Sequence, residues 1–218
     1  MKTLEKAFRV LEYLMEKGGA GVTEISQALN LSKNNVFRAL ATFEEHGLVE
    51  KDEETDKYKL AVNAAKLGYG FMRHSRLIRL ALPELKSLRF AVKETVNLAL
   101  LDERRRSVVY VAHEESVRPV KVEPRAGKRF ALEAETASAR ALKKALVEGG
   151  PAVEYELSAD GELSGVACAV VSGSGRPEGA LEVLAPSYRL PPDKIKKEVE
   201  PLLRRVALTL SKELGYDV

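Results

Sequence analysis

Three features of this 218-residue sequence predict an α+β protein built in parts. Residues 1–60 hold three amphipathic helical stretches and then two short strand-like runs around a polar turn. Residues 75–218 hold a series of β-branched or alternating segments interleaved with long helical stripes. Residues 61–74, between them, keep helical apolar spacing but contain Gly68 and Gly70, each of which weakens a helix by roughly 1 kcal/mol relative to Ala. The expected division is a domain over 1–60, a linker helix over 61–74 and a helix-flanked sheet domain over 75–218.

In the first part, Thr3 suits an N-cap, and Leu4, Ala7, Phe8, Leu11, Leu14 and Met15 recur at three and four before Gly18 and Gly19 end the stripe. Thr23 is placed to cap a second, shorter helix whose Ile25, Ala28 and Leu29 face the first. Asn30 and Leu31 leave a tight turn. Ser32 is a good N-cap and Gly47 a good residue just past a helix end, so the third helix runs between them. LVEK, the turn DEETD and KYKL then read as a hairpin. Three helices and a hairpin make a winged helix-turn-helix.

The third helix carries the functional signal. At about 100° per residue, Val36, Ala39, Leu40 and Phe43 share one face, while Asn34, Arg38 and Thr42 lie roughly opposite with Asn35 beside them. That outer face has no carboxylate, and its side chains suit duplex DNA. Arg pairs with the O6 and N7 of guanine, and Asn with the N6 and N7 edge of adenine; Asn35 is preferred to Asn34 for the second role. Ser32 and Lys33, at the helix start, suit phosphate. Phe37, at the boundary of the apolar face, is assigned to the core edge. The hairpin tip is acidic, with Asp52, Glu53, Glu54 and Asp56 around Lys51 and Lys57, so only Lys57 and Lys59 remain candidate phosphate contacts. The formal charge of +3 permits a nucleic-acid partner without arguing for one, because residues 1–75 balance 11 Lys and Arg against 11 Asp and Glu.

In the second part, TVNLALL, SVVYVAH, RPVKVE, AVEYEL, VACAVV and GALEVL are the predicted strands, and DERRR, ADGEL and SGSGRPE are turn chemistry between them. TASARALKKALV is a helix, and Asp193 opens a last one with Ile195, Val199, Leu202, Val206, Leu210 and Leu214 on one stripe. The single cysteine, Cys168, excludes an internal disulfide and a cysteine-rich zinc site, and its apolar neighbours read as a buried strand. His46, His74 and His113 show no ligand-pair spacing, so no metal or cofactor is expected. Arg104, Arg105 and Arg106 occupy a solvated turn. The glycines of SGSGRPEG lie between strands, which is not the strand-to-helix setting of a phosphate loop. The amino terminus has charges at helical spacing and no continuous apolar stretch, so no signal peptide or membrane span is expected and the compartment is read as cytoplasmic. No catalytic constellation appears, so the protein is not read as an enzyme.

LEKAFRVLEYL, KNNVFRALATFEEHGLVE, YKLAVNAAKLGYG, TASARAL and GALEVLAP, taken with a terminal helix, cover nearly the whole chain and resemble the IclR family of bacterial transcription regulators. That family's recognition segment commonly reads lysine, serine, threonine, valine, histidine, arginine. Lys33, Val36 and Arg38 match it, whereas Asn34, Asn35 and Phe37 depart, so the fold carries over and the operator sequence does not. The resemblance implies a GAF-like effector-binding and oligomerisation domain over 75–218, assembly into a homodimer or tetramer, double-stranded operator DNA as partner and modulation by a small-molecule effector. The alternative is a carboxy-terminal domain that only assembles the oligomer. The same resemblance places an effector pocket around Thr136, Ala137, Cys168, Glu182 and Leu184. Small or hydroxyl residues often stand in the family where Glu182 and Leu184 stand here, and a carboxylate at Glu182 should repel an organic acid.

Overall fold

The structure is a computed structural model that describes residues 2–158 and 160–217. Met1, Val218 and Ala159, the last within the predicted ADGEL turn, lie outside the described residues. The chain divides into two compact units, Met1–His74 and Ser75–Val218.

In the first unit, helices α1 (Lys2–Lys17), α2 (Val22–Leu29) and α3 (Lys33–Glu45) precede strands β1 (Val49–Lys51) and β2 (Tyr58–Leu60). Val10, Leu14, Ile25, Val36, Leu40, Val49 and Tyr58 form their common core. The hairpin gains a third partner, since Ala20 and Tyr58 exchange both backbone hydrogen bonds at 2.9 Å and so tie the α1–α2 turn to the wing. Two predicted caps are corrected. Helix α1 starts at Lys2 and takes Thr3 into its first turn. Gly21 is the N-cap of α2, because the chain leaves the Ala20 bridge extended and the first helical bond runs from Ile25 N–H to the Gly21 carbonyl. Ser32 does cap α3, accepting from Asn35 N–H at 3.3 Å. At Gly47 the chain turns with φ +66°, a conformation that favours glycine, while a Cβ there would meet only the movable end of the Asn63 side chain. A short 3₁₀ turn, Val62–Ala64, leads into α4 (Ala65–His74).

The second unit starts with α5 (Arg76–Val92), capped by Ser75 and continuous through Pro83. Strands β3 (Thr95–Asp102), β4 (Ser107–Glu114), β5 (Arg129–Ala131), β6 (Val153–Leu157), β7 (Leu163–Val171) and β8 (Pro177–Pro186) form one antiparallel sheet in the order β5-β4-β3-β8-β7-β6. Helix α6 (Ala137–Glu148), capped by Thr136, packs on one face. Helix α5 and the terminal helix pack on the other. The terminal helix comprises α7 (Pro192–Lys194), a π-helical turn over Ile195–Val199 and α8 (Glu200–Glu213).

Two predictions in this unit are overturned. RPVKVE is not a strand: Pro119 within it and Pro124 just after it lack an N–H, and side chains of β3 tie the backbone of this stretch instead of a ladder. Thr95 Oγ1 donates to the Val122 carbonyl and Asn97 Oδ1 accepts from Arg125 N–H, while the short β5 takes the edge beside β4. In the terminal helix the π-turn adds a residue to one turn and rotates the residues after it. Leu203, Ala207 and Leu210 are therefore buried, and the expected Leu202 and Val206 are only half-buried.

Candidate nucleic-acid interface and small-molecule site

Helix α3 turns Val36, Ala39 and Leu40 inward, which leaves Lys33, Asn34, Arg38 and Thr42 exposed on the outer side together with the capping Ser32. Lys33 and Arg38 have no carboxylate partner among the described residues. Thr42 Oγ1 donates to the Arg38 carbonyl, so its hydroxyl reaches outward as an acceptor. Asn35, with its N–H given to the Ser32 cap, is half-buried, whereas Asn34 is exposed. Phe37 is 55% exposed and lies on the outer face rather than at the core edge expected for it.

The wing has less to offer. Lys51 pairs with Asp56 at 2.6 Å, and Lys59 pairs with Glu50 at 3.3 Å and reaches Asp52 at 4.0 Å. Asp52 also accepts from Thr55 N–H and Oγ1 and from Glu54 N–H, and the Thr55 bonds chiefly hold its carboxyl below the usual range. Lys57 is therefore the lysine of the predicted pair that has no carboxylate partner among the described residues.

The predicted pocket residues are only partly brought together. Antiparallel partners point to the same face of a sheet, so Glu182, opposite Ala167 on β7 and Asn97 on β3, faces α6. Leu184, opposite Gly165, does the same, and Thr136 and Ala137 open α6 over that face. Cys168 pairs with Leu181 and is turned to the other face, where α8 covers β7; one step of register separates it from the proposed pocket. Burial pushes its thiol up to about 12.

The space at the start of α6 is filled by the chain itself. Glu182 is fully buried, and its Oε1 accepts from Tyr110 Oη at 2.8 Å, Arg125 Nη1 at 3.0 Å, Ser138 Oγ at 3.0 Å and Ser138 N–H at 3.3 Å. Its Oε2 accepts from Asn97 Nδ2 at 3.2 Å. Glu156 stands beside it, its Oε2 accepting from Arg125 Nη1 at 2.9 Å and Ala137 N–H at 3.0 Å. Burial pushes the Glu182 carboxyl up, and the Arg125 guanidinium is the main pull the other way. Burial alone would lower Arg125, but Glu156 and Glu182 more than reverse that. No periodicity marked Arg125, because it lies in irregular chain beyond Pro124, just past the predicted strand RPVKVE. Ser138 is one residue beyond the predicted pair at the helix start, and Tyr110 and Asn97 were hidden in strand alternation.

A separate cleft of about 650 Å³ is lined by Val120, Val122, Leu163, Pro186 and Tyr188 with Asp160 and Glu162, and by no basic residue. Among the described residues no three His, Cys, Asp or Glu side chains gather as metal ligands, and no helix is long and apolar enough to cross a membrane.

Residues 3–53 match the IclR helix-turn-helix domain model. The transcriptional regulator KdgR of Escherichia coli is 35% identical over 127 residues, which is 58% of this chain and 48% of KdgR. The match thus spans about half the length of that relative. An IclR transcriptional regulator from Alicyclobacillus acidocaldarius has the same fold, with a TM-score of 0.80 over 99% of both chains at 18% identity. An IclR homologue from Microbacterium hydrocarbonoxydans, crystallised with 4-hydroxybenzoate, superposes with a TM-score of 0.72 at 19% identity over 97% of this chain and 98% of that one. The amino-terminal part of the chain thus matches an IclR helix-turn-helix, and along its whole length the chain has the fold of those regulators.

Proposed function

We propose that this protein is a sequence-specific DNA-binding regulator of transcription. The observation that carries the reading is the outer face of α3: Lys33, Asn34, Arg38 and Thr42 stand exposed, without a carboxylate among them, on the third helix of a winged helix-turn-helix. In this reading Arg38 and an asparagine contact base edges, and Ser32, Lys33 and Lys57 contact phosphate, while Lys59 is held by Glu50 and Asp52. The protein acts as a cytoplasmic homodimer or tetramer and is not an enzyme. Its relatives by sequence are named as regulators, and one structural neighbour holds an aromatic acid. Footprinting in cells that express the protein should protect discrete promoter sites. Uniform weak protection along the DNA would overturn the reading.

A second reading concerns the carboxy-terminal unit alone: it serves for assembly and takes no diffusible effector at the start of α6. One observation favours it, namely that Glu182, Arg125 and Glu156 already fill that space. Calorimetry against a panel of small acids, amines and alcohols tests it. Tight binding that Glu182→Gln abolishes would restore the effector reading.

A further inference from the structure

The buried cluster on the α6 face of the sheet is built as a ligand site is built. The first turn of a helix presents free N–H groups and the positive end of its dipole, which suits an anion. Here that end is aimed at carboxylates, with Ala137 N–H on Glu156 and Ser138 N–H on Glu182. A carboxylate offers about four acceptor positions, and Glu182 takes five donors from four residues, every one of them buried. Arg125 reaches this point from a segment with little regular structure, and it bridges Glu182 to Glu156.

We propose that the carboxy-terminal unit is internally liganded: Glu182 supplies the carboxylate of a carboxylate-recognition site at the start of α6, Arg125 closes it, and the site admits a small carboxylic acid only when Glu182 is removed. This deepens the effector-free reading of that unit and does not depend on DNA binding. An external acid would have to displace a tethered group that competes at millimolar effective concentration or above. It would also add negative charge beside Glu156, which opposes its ionisation. Removing Glu182 ends the competition and takes away one of the two carboxylates, so that a bound acid restores the original charge beside Glu156 and Arg125. Tyr110 Oη, Arg125 Nη1, the two Ser138 donors and Asn97 Nδ2 would be left converging on a cavity, and buried donors without acceptors are costly. Glu→Ala removes Cγ, Cδ and both oxygens, which are the heavy atoms of acetate.

The test is thermal unfolding of the full chain in acetate against chloride at equal ionic strength. Wild type should unfold at the same temperature in both. Glu182→Ala should unfold at a lower temperature in chloride and recover by several degrees, saturably, at about 100 mM acetate, as a ligand that binds only the folded state requires. Glu182→Gln, which keeps the space filled, should ignore acetate. Should Glu182→Ala fail to fold in chloride, its refolding yield in acetate against chloride reads the same quantity. Saturable protection of wild type by acetate, or a Glu182→Ala variant that acetate neither stabilises nor helps to fold, would overturn the proposal. DNA plays no part in any arm, so such a failure leaves the regulator reading standing.

Discussion

Lys33 and Arg38 lie one and a half turns apart on the same exposed helix, yet they should have different phenotypes. In the proposed reading Lys33, beside the N-cap, contacts phosphate, so Lys33→Ala should weaken all duplexes alike and lower the slope of log affinity against log salt by roughly 1. Arg38 points away from the core, so Arg38→Ala should cost about 1–3 kcal/mol on the preferred duplex and relax the preference at one base pair. Fluorescence anisotropy on preferred and scrambled duplexes at two salt concentrations separates them; equal losses on both duplexes for Arg38→Ala would reassign it to phosphate. Cys168 tests the other unit. Its thiol is raised by burial to about 12, so the stability that the neutral thiol contributes is full below an unfolded value of about 8.5 and is lost as pH rises through the folded one. Native protein should therefore resist iodoacetamide at pH 9 and label only on unfolding. Rapid native labelling would place the thiol elsewhere than under α8.

Among the elements, α3 depends on its ends. Ser32→Ala removes the acceptor for Asn35 N–H and should cost about 1 kcal/mol, seen as a lower melting temperature for the amino-terminal unit with little change in the unfolding of the other. The sheet unit depends on its buried charges. Arg125→Ala leaves Glu182 and Glu156 facing each other without a cation and should cost about 3–5 kcal/mol, far more than loss of a surface pair such as Lys51 with Asp56. Denaturant unfolding of the variant measures this, and a loss below 1 kcal/mol would show that the pair is not structural.

The same elements show what a sequence can disclose. Helix α3 was legible because its cap, its stripe and its terminal glycine are local signals, and the β7–β8 hairpin because the glycines and serines of residues 172–175 are turn chemistry. The turn of the terminal helix at Ile195–Val199 was not legible, since a π-turn changes phase without leaving a distinctive residue. The start of α6 and the strand carrying Glu182 were placed correctly by resemblance. The occupant of the space between them was missed, because Arg125 arrives through tertiary contacts from a segment with two prolines. Cys168 was put on the wrong face for the reason that β-strands make common: a period of two turns a one-residue ambiguity in register into a change of side.

For the whole molecule, a net charge of +3 with no excess in the amino-terminal part means that affinity for DNA must come from the local pattern on α3 and not from a general basic surface. In the proposed reading two copies of α3 act together, so the protein should sediment as a dimer or tetramer at micromolar concentration and protect half-sites about 34 Å apart or a multiple of that. A monomer with and without DNA would remove the basis for paired half-sites. The central claim, that this chain reads DNA sequence, is tested most directly by the ratio of its affinities for a duplex recovered from footprinting and for the same duplex scrambled, at physiological salt. A sequence reader should show a ratio of about a thousand or more, with both affinities falling as salt rises; a ratio near one would contradict the claim.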